Sequence, residues 1–154
     1  MSTSTFSEDQ MRTLAAVLDE IIPPSSDGRL PGAGALGLAR SVAQAAQQTP
    51  DIRNVIVTGL SALEALAVGR YAAGFAAVSR PDRLALLNEL ASTDLAFFLV
   101  LTFHACIGYY DNGRVLEALG REPRPPHPKG YELPPNDLTL LDTVRRRPKM
   151  YRPC

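Results

Sequence analysis

The chain has 154 residues, room for one domain but not for a second full-sized core. Sixteen basic and sixteen acidic side chains cancel, which argues against a globally electrostatic nucleic-acid binder. Two cysteines are too few for a disulfide framework, and 45% hydrophobic residues is ordinary for a soluble domain.

Twenty alanines and twenty-one leucines favour helix throughout. The first segment, MSTSTFSEDQM, has no basic stretch, apolar core or twin arginine, so a cytoplasmic location is expected, and a periplasmic one only by export with a partner. Ser7 with Gln10 spells a capping box, and Phe6 with Met11 a hydrophobic staple. The first helix carries Met11, Leu14, Ala15, Leu18, Ile21 and Ile22 on one stripe and stops at Pro23–Pro24. A loop over 25–34 follows. The second helix is expected over 35–48, with Leu36, Ala39, Val42, Ala43 and Ala46 inward. Thr49 and Pro50 open a long third helix that Gly74 closes. Ser79, Pro81 and Asp82 start the fourth, whose core face is Leu84, Leu87, Leu90 and Ala91.

The fifth helix, over 94–110, contains the longest apolar run, Leu95 to Tyr110. Sixteen residues fall short of the roughly 18–20 that span a bilayer, and no transmembrane segment is expected. A helix apolar nearly all round reads as the most buried element. Asn112–Gly113 turn the chain into a short helix, 114–119, before Gly120. Eight of the thirteen prolines fall in residues 122–154, and residues 137–147 can add a helical turn or two. The expectation is an all-α protein. Residues 1–121 form a compact bundle of five to six helices, and 122–154 a Pro-rich, basic, extended tail that suits a partner-binding arm.

No constellation carries chemistry. Gly32, Gly34 and Gly37 match GxGxxG formally, but a dinucleotide fingerprint needs a preceding strand, and none is available. His104 and Cys106 lie about 200° apart on one helix and cannot share a metal. Asp19, Glu20, Glu64, Glu89 and Asp94 are spaced as solvated helix faces. No catalytic, cofactor-binding or metal-binding residue is assigned. Tyr109, Tyr110 and Tyr131 form either an aromatic binding patch or helix-end packing. Arg145, Arg146, Arg147, Lys149 and Arg152, with Tyr151, suit an acidic partner surface. Cys154 at the chain end is a candidate inter-subunit thiol.

Several segments, in order, carry a resemblance: FSEDQMRTLAAVLDEIIPP, LSALEALA, SRPDRLALLNELA, DLAFFLVLTFHACIGYY and PKGYELPP. Over roughly residues 6–135 the chain resembles the gluconate 2-dehydrogenase subunit 3 family, small subunits of sugar and alcohol dehydrogenases. The resemblance implies a non-catalytic, chaperone-like small subunit. It would support the folding and stability of a large glucose–methanol–choline-type flavoprotein in a hetero-oligomer. FAD would sit in that partner and no cofactor in this chain; a cytochrome subunit is a further candidate partner, and nucleic acid is not one. Members of the family often carry a twin-arginine signal, from which this sequence departs. The alternative is a helical adaptor or regulator that binds an acidic partner or nucleic acid through the basic tail.

Overall fold

In the computed structural model, which describes residues 6–125, 127, 130 and 132–148, the first helix begins at a closed capping box. Ser7 Oγ accepts from the Gln10 N–H at 3.1 Å, and Gln10 Oε1 accepts from the Ser7 N–H at 2.9 Å. The two bonds satisfy two of the donors a helix start leaves unpaired. Phe6 is buried in front of the cap. Helix α1, Glu8–Ile21, buries Thr13, Leu14, Val17 and Leu18, the stripe its 3.6-residue period dictates. Pro23 and Pro24 prevent its continuation.

Helix α2 is Leu38–Gln48 and starts three residues later than expected. The delay has a cause in α1. Asp19 Oδ1 accepts from the N–H groups of Gly34, at 2.8 Å, and Ala35, at 3.3 Å. Those two residues are thereby held in a turn. Gly37 then takes φ +72°, a left-handed conformation open to glycine at no steric cost, and the helix begins after it. Leu38, Ala39, Val42, Ala43 and Ala46 are buried, while Leu36 is only partly so.

Helix α3 is Pro50–Tyr71. Thr49 stands at its cap without a side-chain bond, and the helix stops before Gly74. Ala72 takes the left-handed position at φ 52° instead, at a cost of about 1–2 kcal/mol. Gly74 is needed elsewhere: a side chain there would strike Glu64 Oε1. Glu64 Oε2 accepts from the Phe75 N–H at 3.1 Å and opens the 3-10 turn Phe75–Ala77. By length and composition α3 is apolar enough to cross a membrane. In the bundle it packs on α1 and α2 and buries Ile56, Gly59, Leu60, Leu63 and Ala67.

Helix α4, Arg80–Ala91, follows Ser79, but the capping box does not close. The Ser79 hydroxyl donates to Asp82, which also accepts from the Tyr71 hydroxyl at 3.1 Å. Its core face is Leu86, Leu87 and Leu90; Leu84, expected inside, is exposed. Helix α5, Leu95–Tyr110, is capped by Asp94, whose side chain accepts from the Phe97 N–H at 3.1 Å. Helix α6, Gly113–Ala118, is capped by Asn112. It ends in a Schellman motif, with Gly120 N–H bonded to Glu117 O and Arg121 N–H to Leu116 O.

The chain divides into two compact units, Met1–Arg124 and Pro125–Cys154. The first is an all-α bundle in which α5 touches α1, α2, α3, α4 and α6. No strand occurs among the described residues. In the second unit Asp137 accepts from the Thr139 N–H at 3.0 Å. It caps a 3-10 turn, Leu138–Leu141, that runs into α7, Asp142–Arg145. This is the extra turn or two that the sequence allows over 137–147.

Candidate partner-binding surface

Helix α5 corrects the expectation that it is the most buried element: one of its faces is covered and the other is not. Phe97, Leu101, Ala105 and Tyr109 are buried, each four residues after the last. Leu95, Leu99, Phe103 and Ile107 follow the same step, shifted by two residues and so about 200° round the helix. They are 63%, 61%, 63% and 55% exposed, and Tyr110 beyond them is 58% exposed. The reason is geometric. Five helices pack on α5 from one side and leave its opposite side uncovered. Sequence apolarity all round therefore marks two different faces, one for the core and one turned to solvent.

The inner row is set by one close approach. A methyl group on Gly59 would fall within the ring of the fully buried Phe97, so glycine is what lets α3 and α5 meet there. At the far end the Tyr109 hydroxyl donates to the Pro31 carbonyl at 2.9 Å, tying α5 to the loop after α1. Burial, and then the neighbouring Tyr110, raise the Tyr109 phenol above its ordinary pKa. Of the two helix-end tyrosines, Tyr109 therefore has the packing role, and Tyr110 presents its ring outward. The two rings meet edge to face at 5.3 Å. His104 is half-buried and meets Phe103 edge to face at 5.4 Å; Cys106 is a half-buried free thiol.

Of the carboxylates expected on solvated faces, Glu89 is exposed, while Asp19, Glu20 and Glu64 join elements instead. Glu20 has a side chain only 2% exposed, and it accepts from Arg80 at 3.1 Å and Arg83 at 2.8 Å, joining α1 to α4. Asp19 holds the glycine loop: side chains on Gly32 or Gly34 would collide with its carboxylate. The GxGxxG match is thus a clamp on Asp19. Glu64 is shared by the Thr13 hydroxyl, at 3.2 Å, and the Phe75 N–H. Glu89 pairs with Arg70 at 2.7 Å. A groove of about 430 Å³ lies between α1 and α3, walled by Thr13, Leu60, Glu64 and Val68. Ser61 beside it donates to the Val57 carbonyl of its own helix. Asp9 also lines the groove and pairs with Arg12, while Glu64 is engaged by Thr13 and Phe75. Among the described residues no three His, Cys, Asp or Glu side chains gather as metal ligands would.

In the second unit Arg145 pairs with Asp142 at 3.2 Å, while Arg146 and Arg147 are exposed. Leu138, Leu141 and Val144, three residues apart, are 56%, 45% and 55% exposed, an apolar row the sequence reading passed over. Tyr131, Lys149, Tyr151, Arg152 and Cys154 lie outside the described residues.

No curated protein matches the chain, and no solved structure does. The pattern of one family, gluconate 2-dehydrogenase subunit 3, matches residues 8–118. The match runs from the first residue of α1 to the last of α6 and stops short of the PKGYELPP segment. A match over most of the chain and over its whole helical bundle shows that this protein belongs to the gluconate 2-dehydrogenase subunit 3 family.

Proposed function

We propose that the chain is a non-catalytic small subunit that supports the folding and stability of a large FAD-dependent sugar or alcohol oxidoreductase. The observation that carries this is the family match across the whole bundle. FAD and substrate sit in the large, glucose–methanol–choline-type chain, to which a cytochrome subunit can add. The polar side chains of the bundle support this division of labour. Glu20, Glu64, Asp19 and Asp82 are each spent on joining elements, which leaves the small chain to act through its surface.

The tail serves this role as a second contact. Arg145, Arg146 and Arg147, with Lys149, Tyr151 and Arg152 after them, suit carboxylates on the large chain. The row Leu138, Leu141, Val144 gives that arm an apolar foothold. Tyr110, Tyr131 and Cys154 complete the residues assigned to the partner.

Purification of the tagged chain from its source organism tests the reading. A large chain with flavin absorbance should co-purify in fixed stoichiometry, and the large chain produced without the small one should be less soluble and less active. Dehydrogenase turnover or bound flavin in the isolated small chain, or a large chain indifferent to its presence, would sink the reading.

A further inference from the structure

We infer that the outer face of α5 is the seat of the large subunit, and that the large subunit meets it with an uncharged, apolar surface centred on Phe103. The inference rests on the small-subunit reading above and deepens it.

Three observations converge on this face. The first is where the exposed apolar side chains lie. Within residues 8–118 the large exposed hydrophobics are Val68, Leu84, Leu95, Leu99, Phe103, Ile107 and Tyr110. All but the first two stand on α5, and the i, i+4 step sets four of those in one row. Scattered singly they would need no explanation; in one ridge they do. Helix α5 is also tied down by five neighbours, so the ridge is presented on a rigid support.

The second is area. Five large side chains more than half exposed amount to a patch on the order of 500–600 Å², at the top of the range for a monomer's largest patch. A stable standard-sized interface takes about 800 Å² from each partner. The exposed Thr102 and the half-buried Cys106 on its flanks extend the ridge toward that size.

The third is the extent of the family match. Association with a larger dehydrogenase complex is what the family name carries, and the match covers 8–118. The surface that seats the complex belongs in that stretch, which contains α5 and excludes the tail. Chemistry then describes the occupant. Residues 95–110 contain no Asp, Glu, Lys or Arg; the nearest charges are Asp94 and Asp111 at the two ends. A charge placed opposite the ridge would be desolvated without a partner, which the interface could not support. The occupant therefore offers aliphatic or aromatic side chains at the centre. Phe103 is the anchor, since a large aromatic at the middle of a desolvated patch dominates such interfaces. A ridge of i±4 side chains suits a helix crossing at about −50° or +20°.

The experiment co-produces the full chain with the large flavoprotein chain that co-purifies with it, and compares wild type with Leu99→Glu and Phe103→Glu. Both substituted side chains are more than half exposed, so each variant should keep its helical signal and melt within a few degrees of wild type. Affinity for the large chain should fall at least 100-fold in each. Val68→Glu, in the groove between α1 and α3 where no α5 residue lies, should bind as wild type does. On the wild-type complex, hydroxyl-radical footprinting should show Phe103 and Tyr110 protected severalfold relative to the free chain, a readout that needs no variant. If wild type holds the large chain and both glutamate variants hold it equally well, with Phe103 still open to oxidation, this inference is wrong and the small-subunit reading stands. If wild type holds no large chain, both fall. Sedimentation of the isolated chain gives the remaining arm: a dimer that Phe103→Glu dissociates would make a second copy the occupant and overturn the assignment.

Discussion

Two glycines on α3 show how far a single residue's meaning depends on what faces it. Gly69 has nothing within 4 Å of a would-be side chain, and Gly59 lies against the Phe97 ring. Gly→Ala within a helix gains up to about 1 kcal/mol in propensity. At Gly69 nothing opposes that gain, so Gly69→Ala should raise the melting temperature. At Gly59 overpacking costs about 1–3 kcal/mol, and a fully buried ring has little room to yield, so Gly59→Ala should lower it. Thermal unfolding of the pair checks the sign; two shifts in the same direction would contradict the packing of α3 on α5. Tyr109 yields a pH dependence. Its phenol is raised by burial and donates to Pro31, so its folded pKa exceeds the unfolded value near 10. Stability from the neutral hydroxyl is full below that unfolded value and is lost as pH rises through the folded one. Urea unfolding above about pH 10 should show the loss; Tyr109→Phe should reduce it, leaving the share of Tyr71, whose phenol is raised by burial and by its bond to Asp82, while costing about 1 kcal/mol at neutral pH. Parallel losses in both proteins would remove Tyr109 from the account. The sequence could not separate Tyr109 from Tyr110. Adjacent positions on a helix differ by about 100°, and only the placement of the neighbours decides which one faces inward.

Element by element, the legible parts were those written in local chemistry. Ser7 with Gln10 gave the start of α1, Pro50 that of α3, and Asn112 and Gly120 the limits of α6, because caps and breakers act within a few residues. Boundaries set by distant residues were not legible. The late start of α2 depends on Asp19 reaching across from α1, and the early end of α3 on Glu64 claiming the space at Gly74. The exposed face of α5 was not legible for a further reason: a sequence apolar on all sides has no polar face to mark which side is covered. The two rows differ by experiment as they do by exposure. Leu101→Ala should cost the isolated chain about 2–5 kcal/mol, since the residue is fully buried. Leu99→Ala, two residues earlier, should change it by less than about 0.5 kcal/mol. Chemical denaturation reads both, and equal losses would mean that the outer row is covered in the free chain.

On the scale of the whole molecule, two kinds of surface answer to two kinds of force, and salt separates them. The α5 ridge carries no Asp, Glu, Lys or Arg over residues 95–110, so its contribution in the proposed complex would be apolar burial, which moderate salt leaves nearly untouched. In the proposed complex the arm would contribute through Arg145, Arg146 and Arg147, and exposed ion pairs are screened over about 8–10 Å at ionic strengths of about 0.1–0.15 M. The two contacts lie on one chain, so the second binds at an effective concentration set by the linker and can add 10²–10⁴-fold to avidity. A chain ending at Arg124 keeps the first compact unit and its whole core, and should retain the melting transition of the bundle. It should still hold the large subunit, more weakly than the full chain. Titrations at about 50, 150 and 500 mM salt should show the full chain losing affinity as salt rises, because its arm is progressively screened. The truncated chain should give a nearly flat line, and the two curves should approach each other at the highest salt. Equal slopes would place the salt-sensitive contact on the bundle. Complete loss of binding on truncation would make the arm the principal attachment and the α5 ridge a minor one.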